Sequence, residues 1–488
     1  MDLATYSREA ESFIAELVGE YYRHEAGLKE QLEISPIYER HRGLFAPEVV
    51  RDLLSCRGER EGRYLAEFAT AGLIENSLRE LTEEIMNAEA RASVEWEGRQ
   101  VPYRQASILI SNEPDHARRH ELERLTVAET AKLNPPRERR LRRAHAFAHE
   151  LGFSDYVAMC ESLSALHLDW LGPAMTELLA RTRERHAAAM TSRLDAAGIP
   201  RAEATTADWG FLRRAQQFDH LFPKDELIPA LKRTLGGMGI DLDSQENLHV
   251  DVEERPLKSP RAFCAPIRVP EDVWLVTRPH GGHDDYDAAL HEAGHAVHYT
   301  HVSRDLPVAY RHLGDNSVTE AYAFLFGNLE RNPVWLREVM GATDLEEYLA
   351  LTRFTAIYML RRYAAKLHFE LELHRSPDPG AMGARYSQVL GEAVQVRVWP
   401  ENSLSDLDDA FYCACYLRAW ILEVQLRQAL IKQFGERWFA SRDAGAYLRE
   451  LWALGQQLPA HELAQRLGRE GLEVEYLIQD LLGPESEI

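Results

Sequence analysis

The sequence predicts a mainly α-helical protein with one small β-sheet set beside a buried helix. Three observations lead there. Apolar residues recur with helical period through most of the first half of the chain. Between Leu248 and Arg278 the texture switches to short β-rich runs. The stretch Ala288-Ala-Leu-His-Glu-Ala-Gly-His-Ala-Val-His-Tyr-Thr300 then returns to helix, and its small apolar flanks place it in the interior. A chain of 488 residues has room for two or three domains, or for one large two-lobed body. The change of texture divides it into a helical part, 1–245, and a part 246–488 with the sheet, the buried helix and further C-terminal helices.

In chain order, Phe13, Ile14, Leu17, Val18, Tyr21 and Tyr22 predict an amphipathic helix over 9–32, and helical patterning continues to about residue 90. Ser93 to Tyr103 alternates around a central Glu-Gly and reads as a hairpin. Ser111-Asn112-Glu113-Pro114 reads as a helix start, and Asn134-Pro135-Pro136 as a break before a helix that ends near Leu151-Gly152. Residues 171–192 form another helical stretch, and Asp219 to Gly239 closes the helical part. Leu248–Glu254, Arg261–Val269 and Val273–Arg278 are the strands, with a turn at Pro270-Glu271-Asp272. The sheet is either structural or offers an edge to an extended peptide. His280-Gly281-Gly282-His283 is a loop into the next helix, its histidines placed in the loop or facing a substrate.

Charge narrows the function classes. With 56 basic against 78 acidic residues the net charge is −22, which argues against nucleic-acid or anionic-membrane partners. The basic run Arg137 to Arg143 has no interleaved aromatic residues and reads as a solvated helix face. Five cysteines, scattered except for Cys413 and Cys415, suggest buried thiols in a reducing compartment, with Cys-x-Cys as a metal clip the other reading. The N-terminal stretch lacks the apolar core of a signal peptide, and no apolar run of about 18 residues suggests a membrane span. A soluble cytoplasmic protein is expected.

The chemistry sits in His291-Glu292-x-x-His295. Residues four apart share one face of a helix, so both imidazoles can grip one ion. Glu292, next to the first ligand, can reach a water on that ion. Two histidines for zinc and a carboxylate as general base are the metallopeptidase pattern. Gly294 costs about 1 kcal/mol against Ala in a helix, so close approach of another backbone is expected there. His116-x-x-x-His120 and His145-x-x-x-His149 have the same spacing but lack the Glu. The first pair encloses Arg118 and Arg119, and the second follows the basic run; both read as surface or core histidines.

A catalytic zinc needs a third protein ligand and an open corner. Glu320, with 24 residues between it and His295, opens an apolar helix and is the candidate. Ser317-x-x-Glu320 also fits a capping box, in which Glu320 folds back on its own helix. His298 lies seven residues beyond His291, about 10 Å along the axis, too far to share the ion; it belongs to the core or the surroundings of the ligands. Asp287, one turn before His291, either accepts the other ring N–H of His291 or is a solvated helix-start residue.

Arg261-Ala-Phe-Cys-Ala-Pro266, Gly281-Gly-x-x-Asp-x-Asp287, His291-Glu-Ala-Gly-His-Ala-Val-His298 and the Glu320 helix occur in that order. Together they resemble the thimet oligopeptidase and oligoendopeptidase F family of zinc peptidases, over roughly residues 255–330, with a looser match at Gly236 to Asp241 and in the C-terminal third. Asp305 to Glu320 is also similar to the angiotensin-converting-enzyme branch. The resemblance implies a two-lobed helical molecule with a deep channel and one zinc at its floor, which cleaves short peptides rather than folded proteins. It also implies oxyanion-binding tyrosines. Tyr416 is the first candidate and Tyr412 the second, within Asp409-Ala-Phe-Tyr-Cys-Ala-Cys-Tyr-Leu-Arg-Ala-Trp420. Here the chain departs from the family, which carries a further Tyr and a Gly where this sequence has Ala414 or Cys415 and Ala419. Aromatic core packing at i and i+4 is the other reading of this pair.

The expected function is therefore a zinc oligopeptidase. His291, His295 and Glu320 hold the metal, Glu292 is the general base and Tyr416 or Tyr412 the oxyanion donor. A zinc carboxypeptidase of related fold, or a peptide-binding protein that no longer hydrolyses, are the alternatives.

Overall fold

The first amphipathic run forms a helix, Leu3–Glu25, in a computed structural model that describes residues 3–483. It starts earlier and stops sooner than the periodicity predicts. Gly27 takes a φ of +70°, and a Cβ there would stand 2.6 Å from the backbone nitrogen of Lys258, so the chain turns away at that contact. Three shorter or longer helices follow, Ser35–Arg40, Pro47–Ser55 and Arg60–Arg91.

The hairpin predicted next is present. Strands β1 (Ser93–Trp96) and β2 (Arg99–Pro102) pair antiparallel around Glu97-Gly98, both at positive φ, which matches strand twist across a two-residue turn. Val94, Trp96, Val101, Ile110 and Leu122 form the core beneath it. Ser111 to Pro114 is a helix end rather than a start. Helix Tyr103–Asn112 stops there, and Asp115 caps the next by accepting from Arg118 N at 2.9 Å.

That next helix, His116–Glu150, runs through Pro135 and Pro136 instead of breaking at them. Two backbone donors are lost. Burial of Leu133 and Pro136, and donation from Asn134 Nδ2 to Glu401 O at 2.8 Å, hold the helix in line. The basic run on this helix is ion-paired rather than simply solvated. Arg137 meets Glu89, Arg139 meets Glu84, Arg140 meets Glu75 and Asp409, Arg142 meets Asp378 and Arg143 meets Glu150. The predicted stretch 171–192 is two helices, Leu168–Arg181 and Arg183–Ala196, joined at Thr182, whose hydroxyl donates to Leu178 O.

Strands β3 (Leu248–Asp251), β4 (Phe263–Arg268) and β5 (Asp272–Val276) make a sheet of order β3-β5-β4. β3 runs parallel to β5 and β4 antiparallel, with the expected turn between β4 and β5. Tyr22 and Ala26 from the first helical run pack on Ala265 and Val276 of this sheet. Helix His283–Thr300 follows, then Asn316–Gly327. Long helices Glu346–Leu373 and Tyr412–Phe434 lie further along.

By packing, the chain divides into two compact units, each drawn from three stretches. One comprises Met1–Leu73, Gln216–Leu349 and Arg418–Leu477 and contains the β3–β5 sheet and the helix with His291. The other comprises Ile74–Ala215, Ala350–Leu417 and Ile478–Ile488 and contains the hairpin. The change of texture at 245/246 lies inside the middle stretch of the first unit. The fold is mainly α, with only these two small sheets among the described residues. No helix among them is long and apolar enough to cross a membrane.

Candidate metal centre

Helix His283–Thr300 buries Ala289, Leu290, Ala293, Gly294, Ala296 and Val297. Its small residues let helix Asn316–Gly327 cross it closely. At Gly294 a Cβ would stand 2.7 Å from both Ala323 Cα and Tyr322 O. Close backbone approach therefore accounts for a glycine in mid-helix. The crossing brings residues 319 to 324 to the histidine face.

Which residue caps the second helix decides what Glu320 does. Asp315 is the N-cap and accepts from Ser317 N at 3.1 Å. Ser317 is thus already inside the helix, and the capping-box reading of Ser317 and Glu320 does not hold. Glu320 instead points its carboxylate at the histidines, with Oε2 3.4 Å from His291 Nε2 and 3.7 Å from His295 Nε2. One donor atom from each of the three lies within 4.8 Å of the others. A tetrahedral zinc with ligand bonds of about 2.0–2.1 Å separates its donors by about 3.4 Å. Two imidazole nitrogens and one carboxylate oxygen at this spacing fit such an ion in chemistry and in size.

The surroundings set the tautomers. His295 Nδ1 lies 2.8 Å from Thr319 Oγ1. If Nε2 were to hold a cation, Nδ1 would carry the proton and donate to that hydroxyl. Thr319 Oγ1 is also 3.2 Å from Nδ1 of the buried His298, which stacks on Tyr299. His298 is not one of the three converging donors, as its distance along the helix requires. Asp287 acts on His291 through its charge and packs against Gly327. His283 is buried near Tyr348 rather than open to a substrate, and Asp285 accepts from the backbone of His280 and Gly281.

Burial and charge work against each other here. Burial pushes His295 down to about 4. Burial also pulls on His291, but the nearby Glu320 carboxylate, with the charges of Glu292 and Asp287, holds it above its ordinary value. Burial lifts Glu292 to about 7. Its Oε2 accepts from the backbone N–H of Cys264 on β4, at 2.8 Å. β4 is an edge of its sheet, so the general-base candidate is tied to a strand edge.

Tyr412 and Tyr416 belong to the second unit. Their rings pack edge to face with centroids 4.9 Å apart, and Tyr363 lies 5.6 Å from Tyr416. Cys413 and Cys415 do not form a clip: Cys413 alone joins a group of potential ligands, and its Sγ donates to Glu370 Oε2 at 3.1 Å. His145 pairs with His374 at 2.8 Å, not with His149. His116 and His120 meet Asp208.

Sequence reading missed Thr319, the Cys264 N–H and Phe324, whose ring lies 5.2 Å from His291 and stacks on Trp420. A backbone donor leaves no residue-type signal. Thr319 and Phe324 could be suspected only from the register of the helix crossing at Gly294.

No protein-family model and no curated protein matches the chain. Solved structures that resemble it in fold include the following two. One is a provisionally named oligoendopeptidase F, with a TM-score of 0.65 at 16% identity over 98% of this chain and 89% of that one. The other is a provisionally named oligoendopeptidase F from Bacillus anthracis str. Ames, with a TM-score of 0.64 at 14% identity over 98% and 90%. At these identities the likeness establishes the mainly α fold that the sequence predicts, and with it the fold of the family it resembles.

Proposed function

We propose that the chain is a zinc-dependent metallopeptidase that hydrolyses short peptides, with one ion held by His291, His295 and Glu320. The observation that carries this reading is the convergence of those three donors beside Glu292. The fold likeness to provisionally named oligopeptidases supports a peptidase. Zinc bound there supplies a Lewis acid that lowers the pKa of a water and polarises a peptide carbonyl. Glu292, anchored through one oxygen by Cys264 N–H, takes the proton from the attacking water and delivers it to the leaving amine. Thr319 keeps His295 in the tautomer that presents Nε2. The edge strand β4 suits an extended peptide laid along it. Tyr416, or Tyr412, donates to the oxyanion; this assignment rests on the family resemblance of their segment. Five cysteines with no disulfide among them suit the cytoplasm.

Elemental analysis and a panel of quenched fluorescent peptides test the proposal. About one zinc per chain and chelator-sensitive cleavage at internal bonds are expected. Cleavage that ignores chelator would overturn it. Cuts confined to peptide ends would make the chain a zinc carboxypeptidase, and binding without cleavage a non-hydrolytic peptide-binding protein.

A further inference from the structure

The helix that carries Glu320 starts at a buried ion pair. Arg418 Nη1 and Nη2 donate to the two oxygens of the N-cap Asp315 at 3.0 and 2.7 Å, and Nη1 also donates to Ser317 Oγ at 3.1 Å. Ala460 N donates to Asp315 Oδ2 at 2.9 Å. Arg418 is 1% exposed, Asp315 6% and Ser317 0%. An ion pair this deep is a poor source of stability, because desolvating two charges costs about what their attraction returns. Asp315 alone would cap the helix. What the guanidinium adds is geometry. A planar fork that fixes both carboxylate oxygens and a hydroxyl two residues on leaves the helix little freedom to slide or rotate. Thr319 and Glu320 follow within the next turn.

We infer that Arg418 is a positioning residue for the metal centre. By locking the N-cap it sets the rotation that aims Glu320 at His291 and His295, and Thr319 at His295. This rests on the zinc reading of those residues. Lysine keeps the charge but loses the fork, so Arg418→Lys separates positioning from simple charge compensation.

Cobalt(II) is the probe, since its visible absorption reports the ligands that surround it. Arg418→Lys is expected to weaken cobalt binding by about ten-fold and to shift the absorption bands. Phe13→Leu, which loosens the aromatic contacts of Phe13 with Tyr38 and Phe45, should lower the melting temperature yet keep wild-type affinity and spectrum. Ser317→Ala removes only the third bond of the fork and should move both readouts less, in the same direction; it decides the matter should Arg418→Lys not fold. Wild-type affinity and spectrum in the folded Arg418→Lys protein, or in Ser317→Ala where the lysine variant does not fold, would overturn the inference, as would equal metal loss in Phe13→Leu. A wild-type protein that binds no cobalt would remove the zinc reading itself and this inference with it.

Discussion

Two H-x-x-x-H helices in this chain each meet a carboxylate from another helix, and they reach opposite ends. At His116 and His120 the carboxylate is Asp208, fully buried and already saturated. Its Oδ1 accepts from Arg119 Nη2 at 2.7 Å and Nε at 3.1 Å; its Oδ2 meets His120 Nε2 at 2.7 Å and accepts from Thr205 N at 2.9 Å. Burial pushes Asp208 up, but the Thr205 N–H, Arg119 and His120 together hold it below its ordinary value. The positive charge such a cluster needs is built into the chain, and the aspartate doubles as the third residue of a capping box. At His291 and His295 no arginine intervenes between the histidines, and the Glu320 oxygen stands 3.4 and 3.7 Å from the two nitrogens, wider than the usual N–H···O spacing of about 2.9 Å. Ligand spacing alone does not make a metal site. The first cluster encloses a guanidinium, and the second has none between its histidines.

The comparison breaks most sharply at Glu292, which has no counterpart beside His116. Glu292→Gln should keep zinc and lose roughly two to four orders of magnitude in kcat/KM. Steady-state kinetics on zinc-loaded protein check it, and wild-type turnover would dismiss Glu292 as the base. His295→Ala should release zinc on dialysis while His120→Ala leaves metal content unchanged; elemental analysis of both proteins reads the contrast directly.

Next in size is the built-in cation. Arg119→Met strands Asp208 without its partner in a buried site, which should cost about 3–5 kcal/mol. Denaturant unfolding measures it. A much smaller loss would mean that His120 and the Thr205 N–H satisfy Asp208 unaided.

A third cluster extends the contrast. Glu370, Asp408 and Cys413 lie together, but Lys366 Nζ sits 2.7 Å from Asp408 and 3.6 Å from Glu370, in the place of an ion. Burial outweighs Lys366 and the donors Asp408 N–H and Cys413 and lifts Glu370 to about 7 from 4.5. Between those values the folded protein keeps a proton that the unfolded chain has lost, so this group's contribution to stability declines as pH rises through the window and is level on either side. Glu370→Gln should flatten the dependence of the unfolding midpoint on pH across it. An unchanged slope would mean that Glu370 is ionised in the fold.

Much of this was legible in the residues. The small sheet, the hairpin and the shared helix face of His291 and His295 were readable because each depends on local spacing: alternation, a two-residue Glu-Gly turn, a pair of histidines one helical turn apart. Pro135 and Pro136 misled because the packing of Leu133 and the Asn134 contact to Glu401, distant in sequence, outweigh the lost donors. Glu320 was ambiguous for a sharper reason. Ser317-x-x-Glu320 satisfies a capping box as written, and only the position of Asp315, two residues earlier, shows that the helix has already begun. Ion pairs such as Arg119 with Asp208 join residues 89 apart and leave no pattern to read.

Gly294 is the smallest test and bears on why one carboxylate reaches its histidines at all. Alanine favours helix by about 1 kcal/mol over glycine, so an exposed site would gain from the change. Here the new methyl would meet backbone atoms, Ala323 Cα and Tyr322 O, at 2.7 Å. Backbone cannot rotate aside as a side chain can, so the two helices must part by some tenths of an ångström. A net loss of about 1–3 kcal/mol is expected, together with weaker zinc binding, since the parting moves Glu320 and Thr319 away from the histidines they face. Calorimetry and chelator competition read the two effects separately. Lost stability with unchanged zinc affinity would show that the crossing distance matters to packing alone, and that Glu320 reaches the ion by its own side-chain freedom.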